Sequence, residues 1–589
     1  MTINMTNFIK DKKIWILLVL IFILGTFLRT YHFSDWMHFE LDQSRDAKVI
    51  DLALEEGASN LPLLGPKAAG SFLRLGPVFY YLEYLSAKIF GGTPPGMVAL
   101  SLIFSCLTIL VFYFFAKRYF QEKISLSLTF IFSVSLFLIM YSRFGWNPNN
   151  MPFFTLLTFW SLLKLSDSQE KKRGLWPLLF AFSLGIVTQL HFLAFMAVPT
   201  ISVIFLIWKR PRINWKYWLG AFLVLLVLYT PVIINDFKTG GDNIKEFTKT
   251  FEKKTETGED SHTLIEKGFK DLTENSLGYS LVLTGQGSFE LPRLKTTPYR
   301  DFICDQGCRD GIIGGVGALI FFILGSLLLI LKTFLAFKMK QEEPKKDFLL
   351  LSSLWLIITF GMFFSVAYDI APRFWLLVAG LPFVFLGLFF ELFFNFLKDK
   401  RLAFGLVFGL TLLFVVSNAT AIKKRFWQLS YASSEAFNIE ADRILKERDR
   451  TTLEQFNLII DYIQEKHEEN NWPVYLNSEA FYRRSLLYLV EKRGILEDDF
   501  RNVKTIYREG NYFLVYPTLS NWDNEREKYL NDFNLLETKN FGTMTVWRLQ
   551  PKETSITAEK QEFEPKGKPT SAPGVPIRYR WEEIFSEEE

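Results

Sequence analysis

Between residues 13 and 418 the chain alternates long apolar runs with short basic stretches. A helix rising 1.5 Å per residue needs about 17 to 25 apolar residues to cross roughly 30 Å of hydrocarbon. Runs of that kind fall at 14–30, 96–116, 124–141, 150–165, 175–189, 192–207, 217–235, 311–331, 348–367, 374–392 and 402–418. The stretch 175–207 is broken only by Gln189 and His191. As one helix it would be about 50 Å long, so it reads as two short spans joined by a tight turn. The pattern predicts a polytopic α-helical membrane protein of about eleven transmembrane helices. The first run follows Lys10, Lys12 and Lys13 as a signal peptide would, but bulky Arg29, Tyr31, His32 and Phe33 come after it. It therefore reads as an uncleaved span.

Charge orients these spans. The segments 1–13, 117–123, 164–173, 209–216, 332–346 and 398–401 carry together 22 Lys and Arg, whereas the turns 142–149 and 368–373 carry one each, Arg143 and Arg373. By the positive-inside rule the N-terminus is cytoplasmic and everything after about 419 is extracytoplasmic, in a multi-pass protein of the cell membrane. A net charge of only +4 gives no nucleic-acid footprint. Of three cysteines, Cys106 lies in an apolar run, while Cys304 and Cys308 share the polar loop C-D-Q-G-C. That pair is a candidate disulfide if the loop faces an oxidising space, and two thiols are too few for a zinc site.

Three elements on the outer side are large: the first loop (29–95), the second (236–309), and the region beyond the last span. PVYLN, VKTIY, YFLVYP and TMTVWRL (473–477, 503–507, 512–517, 543–549) read as strands, with helical patterns at 434–466, 478–493 and 524–533. Strands alternating with helices suggest a small α/β domain. The expected organisation is a transmembrane domain at 1–420, an extracytoplasmic α/β domain at 421–550, and a charged, disordered tail at 551–589.

The first loop has the most specific pattern. It opens F-E-L-D-Q-S-R-D-A-K (39–48) and runs into an amphipathic helix; a Gly/Pro-rich stretch follows, and then a second amphipathic helix, VFYYLEYLSAKIF (78–90). Two such helices would lie in the membrane interface. They would hold the segment from Glu40 to Asp46 against the outer mouth of the bundle. In the plainest reading Asp42 caps its helix and Arg45 with Asp46 forms a solvated pair, while Arg143 and Arg373 snorkel at helix ends. The sharper reading brings a carboxylate, guanidinium groups, aromatics and His191 into one outer site. Such a set suits sugar transfer from a polyprenyl phosphate. The leaving phosphate needs no general acid, one carboxylate can take the acceptor proton, and an Arg fork can hold the phosphate as charge builds.

The motifs D-Q-S-R-D-A (42–47), G-P-V-F-Y-Y-L (76–82), S-R-F-G-W-N-P (142–148), Q-L-H (189–191) and P-R-F-W-L-L-V-A-G-L-P (372–382) resemble the GT-C superfamily of polyprenyl-phosphate-sugar glycosyltransferases. Within it the chain is similar to bacterial relatives of protein O-mannosyltransferases and lipid A aminoarabinose transferases, over roughly residues 10 to 420. The resemblance implies two interface helices under an outer cavity and an inverting, metal-independent transfer, with a divalent metal not excluded. It implies Asp42 as general base and Arg373 on the donor phosphate, with Arg143 as a weaker phosphate ligand. Glu40, Gln43, Arg45, Asp46 and His191 are then substrate-binding candidates. The family usually has Glu after the first Asp; Gln43 stands here, which leaves Asp42 as the sole acid of that pair. The implied partners are the lipid bilayer, a polyprenyl-phosphate-linked sugar, and a hydroxyl acceptor on protein, lipid or glycan. A lipid-linked glycan polymerase or ligase would share this outer chemistry. A transporter or flippase would instead place polar groups near the bilayer midplane and show internal repeats.

Overall fold

The computed structural model describes residues 5–68, 72–256, 262–296, 301–339, 341–437, 443–447, 449–501, 505–520, 523–562 and 577–585. Among these, eight helices are long and apolar enough to cross a bilayer: Lys12–Thr30, Pro94–Ala116, Arg173–Leu190, Phe192–Lys209, Trp215–Thr239, Gln306–Lys338, Glu343–Phe364 and Lys400–Tyr431. Large side chains along them, such as Ile16, Leu20, Phe222, Val227, Leu327 and Phe408, face outward, as lipid contact requires. The protein is a multi-pass membrane protein.

The remaining expected spans are helical but shorter. Met151–Ser166 and Leu381–Phe396 have 16 residues each. The run at 124–141 divides into Glu122–Ser133 and Leu136–Tyr141. At that break Ser135 Oγ donates to the Val282 carbonyl and the Leu136 N–H donates to Asn418 Oδ1, so the freed backbone groups are satisfied by neighbours. The 175–207 stretch breaks at His191, whose extended backbone (φ −157°) separates two helices and whose Nδ1 accepts from the Leu193 N–H.

The second outer segment differs from the polar loop its composition suggests. It contains the helices Asp242–Glu256 and Leu264–Thr284 and a short antiparallel pair, Arg293–Lys295 with Asp301–Ile303. The C-terminal half of Leu264–Thr284 is buried in the bundle through Asn275, Ser276, Gly278, Tyr279 and Ser280 as well as apolar residues. A buried face built of small and polar side chains gives little hydropathy signal. Cys304 and Cys308 are disulfide-bonded just before the next span.

The C-terminal region is a five-stranded mixed sheet in the order Glu497–Asp499, Val474–Ser478, Asn511–Pro517, Met544–Pro551, Phe533–Phe541. Val474–Ser478 pairs in parallel with both neighbours, and the last two pairings are antiparallel. The expected strand 503–507 lies partly outside the described residues, and Tyr507 makes an isolated bridge to Ala558. The helix expected over 434–466 lies partly outside the described residues, and among those described it runs from Leu453 to Glu468.

This region sits directly on the first loop. Helix Ala480–Lys492 packs on Leu41–Glu56, where Tyr488 Oη (2.8 Å) and Lys492 Nζ (2.5 Å) donate to Asp51 and Lys48 pairs with Glu491. The tail expected to be disordered from 551 is ordered in part. Residues 563–576 and 586–589 lie outside the described set, but 577–585 dock on the first loop.

Candidate active site

Leu41–Glu56 begins immediately after Glu40, and Gln43 Oε1 accepts the Glu40 backbone N–H (3.0 Å). That cap fixes the start of the helix and turns Glu40 and Asp42 toward different neighbours. Asp42 is 38% exposed; Arg45 Nη1 donates to its Oδ1 (2.8 Å) and Trp146 Nε1 to its Oδ2 (3.1 Å). Arg45 places its Nε and Nη2 on the two oxygens of buried Asp46, whose Oδ1 also accepts from Tyr80 Oη (3.1 Å). Burial pushes the Asp46 carboxyl up against the pull of Arg45.

Arg373 is near by. Its guanidinium lies 5.2 Å from the Trp146 ring and 5.3 Å from Phe374, and among the described residues no carboxylate is ion-paired to it. Phe374 packs edge-on to His191, and burial, then Arg373, push that imidazole down to about 3, so His191 is neutral. Gly76 brings the two halves together, because a Cβ there would collide with the Gln189 amide. Asp42, Trp146, Arg373 and His191 thus form one continuous site from four separated segments.

Arg143 is placed elsewhere. It is 1% exposed and donates to the carbonyls of Arg29 (3.0 Å) and His32 (3.0 Å), with its guanidinium over Phe426. It closes the C-terminal end of the first span through Nη1 and Nη2, which donate to carbonyls that a helix end leaves open, while its buried Nε has no partner among the described residues. The structure does not bring it together with Asp42 and Arg373.

Glu40 also leaves the Asp42 site. It faces His38, whose Nδ1 lies 2.6 Å from Glu447 Oε1, and Glu447 in turn pairs with Arg425 (3.0 Å) and Arg450 (3.5 Å). Burial raises Glu40 to about 7 despite His38. Burial alone would lower His38, but Glu40 and Glu447 carry it up to about 9; burial would raise Glu447, but His38, Arg425 and Arg450 bring it down to about 2. His38, Glu40 and Glu447 present ligand atoms within 4.8 Å of one another, and one imidazole with two carboxylates could hold a divalent ion. The two arginines already supply the positive charge that Glu447 needs, so the group reads better as a closed ion-pair network.

Three further features escaped the sequence reading. Glu83, on helix Val78–Phe90, is buried against Gly145 with one oxygen unpartnered, and burial holds its carboxyl well above the usual range. Its only signal was an acid within the apolar pattern Y-L-E-Y. A cavity of about 450 Å³ lies beside the site between Tyr368, Trp375, Lys270, Glu274, Arg443 and Glu447. Glu447 joins this cavity to the His38 network, and nothing local in its sequence announces that role.

Residues 74–234 match the family model described as dolichyl-phosphate-mannose-protein mannosyltransferase. The match covers well under half of the chain, and over those residues the protein is similar to that family. The matched segment contains the second loop helix, Arg143, Trp146 and His191; Asp42 and Arg373 lie outside it. No curated protein shows significant sequence similarity to this chain. Among solved structures, ArnT from Cupriavidus metallidurans bound to undecaprenyl phosphate is 11% identical, with 90% of this chain and 97% of that one covered at a TM-score of 0.49. The Archaeoglobus fulgidus oligosaccharyltransferase in complex with zinc and sulfate is 12% identical, covering 85% and 68%, at 0.46. Its complex with an inhibitory peptide and a dolichol-phosphate covers 86% and 70% at 12% identity and 0.44. Likeness at this level carries no argument about function.

Proposed function

We propose that the transferase moves a sugar from a polyprenyl-phosphate donor to a hydroxyl acceptor on the extracytoplasmic face of the cell membrane. The carrying observation is the approach of a half-open carboxylate, Asp42, and a guanidinium with no carboxylate ion pair among the described residues, Arg373, across the Trp146 ring. Asp42 takes the acceptor proton as the oxygen attacks the anomeric carbon. The carbon–phosphate oxygen bond breaks on the opposite side, its electron pair leaves with the phosphate, and the anomeric configuration inverts. Each oxygen of Asp42 now accepts one hydrogen bond and keeps a further lone pair for the incoming hydroxyl. Arg45 fixes the carboxylate's rotamer, and Arg373 meets the charge that develops on the phosphate.

The basic segments listed above favour a cytoplasmic N-terminus, and the Cys304–Cys308 bond favours an oxidising compartment for the loop beside it. Domain limits follow as a membrane unit to about 420 and an outer α/β unit to about 550, joined by helix Lys400–Tyr431, which runs through that limit. No step requires a metal, so activity should withstand chelation. The test is mass spectrometry of envelope glycans and glycoproteins from cells with and without the gene. Loss of one sugar, restored by the parent and not by Asp42→Asn, is expected. Full restoration by Asp42→Asn would remove Asp42 as base, and unchanged glycans would remove the transfer reaction.

A further inference from the structure

The cavity of about 450 Å³ beside the site is built by three segments that meet only in the fold. Helix Leu264–Thr284 gives it Lys270, Glu274, Gly278 and Leu281, one stripe of positions spaced by three or four residues. The outer turn adds Tyr368, Pro372 and Trp375, the last two on either side of Arg373 in the chain. The segment before the sheet adds Arg443, Lys446 and Glu447. Through Glu447 the cavity reaches His38 and Glu40, and Glu40 stands at the start of the Asp42 helix. It therefore borders the Asp42–Arg373 site through both segments, while neither of those residues lines it.

Two features set its chemistry. The first is charge that cancels locally. Arg443 lays Nε and Nη2 on the two oxygens of Glu290 (3.0 and 2.6 Å), and Lys270 donates to Glu274 (2.7 Å). Along the lining Lys270, Arg443 and Lys446 are balanced by Glu274, Glu290 and Glu447, so no net field draws in a phosphate or a basic peptide. The second feature is aromatic. Tyr368 is stacked on His262, with ring centres 3.7 Å apart and planes 6° from parallel, yet remains 40% exposed. Trp375 is seated on Gly278, where a Cβ would collide with the indole. Fixed donor–acceptor pairs beside fixed rings suit a neutral saccharide. Each of its hydroxyls both donates and accepts, so one can bridge a cation and a carboxylate through charge-assisted hydrogen bonds, while its C–H face lies on a ring. A volume of about 450 Å³ is that of a small-ligand site.

We propose that this cavity is a saccharide site that takes the end of a neutral glycan as the acceptor. Tyr368 is the ring it stacks on, and the Lys270–Glu274 and Arg443–Glu290 pairs are its hydroxyl partners. The inference rests on the sugar-transfer reading above and narrows its hydroxyl acceptor to a saccharide.

The full chain in zwitterionic nanodiscs, with no donor lipid, is screened by saturation-transfer NMR against an array of neutral oligosaccharides. An oligouronate and a Ser/Thr-rich peptide serve as competing probes. Binding of a neutral oligosaccharide is expected. Tyr368→Ala should weaken it about tenfold, the upper scale of one aromatic contact, whereas Tyr368→Phe, which keeps the ring, should bind as the parent does. Glu290→Gln, which removes a hydroxyl-accepting carboxylate and releases Arg443, should weaken it by about the same factor. Tyr368 is exposed enough that its variants keep the fold, which the melting temperature checks. Binding of the peptide or the oligouronate alone, no binding of any neutral oligosaccharide, or parental binding by both Tyr368→Ala and Glu290→Gln overturns the proposal. Adding a polyprenyl-phosphate sugar separates the site from the reaction. Saccharide binding without transfer keeps the site and removes the transfer reading; transfer to peptide or lipid hydroxyls without saccharide binding removes the site and keeps the transfer.

Discussion

Glu40 and Asp42 are two residues apart on one cap, yet they live in opposite surroundings. Glu40 is folded into a network with His38, Glu447, Arg425 and Arg450, where charges answer one another beside the cavity that Glu447 lines. Asp42 is over a third exposed, shares Arg45 with Asp46, and looks across Trp146 at a guanidinium with no carboxylate ion pair among the described residues. In the proposed reaction that difference separates a structural acid from a reactive one. A satisfied network gains nothing from a substrate, whereas an open pair of unlike charges is completed by a hydroxyl and a phosphate.

The largest effect expected is on the open side. Asp42→Asn should lower transfer about 10²- to 10⁴-fold, the usual worth of general-base catalysis, with membrane insertion and melting temperature unchanged. A stability loss of several degrees would place Asp42 with Glu40 as a structural acid. On the closed side, Glu447→Gln strands Arg425, Arg450 and protonated His38, and should destabilise by about 3–5 kcal/mol. Chemical denaturation in detergent measures this, and a neutral result would mean the network is not closed.

The same network fixes a pH dependence. The folded His38 lies at about 9, above the ordinary 6.5, so its stabilising contribution is complete below 6.5 and is lost as pH rises through 9. Glu40, raised from 4.5 to about 7, adds a loss between those values as it is forced to ionise. Glu447, lowered to about 2, adds a loss in the other direction as pH falls from 4.5 toward 2. Melting temperature should therefore decline from pH 6.5 to 9, and Glu447→Gln should flatten that decline. The smallest effect should follow Trp146→Phe. It keeps a ring for Arg373 but removes the N–H to Asp42, at a cost of about tenfold in transfer by the scale of a hydrogen bond to a charged group. A change in melting temperature without a change in rate would show that the bond only packs the loop.

Hydropathy made the membrane part legible because lipid demands apolar helices, and eight of the eleven runs lie on helices long enough to cross a bilayer among the described residues. The first-loop motif was legible because Asp42, Gln43 and Arg45 act within one helical turn. What stayed hidden acts across long sequence distance. Glu447 reaches His38 from some four hundred residues away, Asn418 fills the helix break at Leu136, and Tyr579 pairs with Leu63. Arg143 misled for a related reason: a lone Arg in an outer turn looks the same whether it meets a phosphate or three helix-end carbonyls. The buried half of Leu264–Thr284 was missed because Ser, Asn and Gly make its inner face.

Helix Lys400–Tyr431 has 32 residues, which makes it about 48 Å long against roughly 30 Å of hydrocarbon. Its projecting end carries Arg425 and Gln428, which grip Glu447 and Arg450. It is a lever whose short arm sits among the residues behind Glu40 and whose long arm lies in lipid. Bilayer thickness biases the tilt that packing and interfacial anchors give such a rod, so thinning or thickening the bilayer should shift its projecting end. The transfer rate should then pass through an optimum as acyl-chain length is varied in reconstituted bilayers, with the membrane itself acting as an adjusting screw on the enzyme.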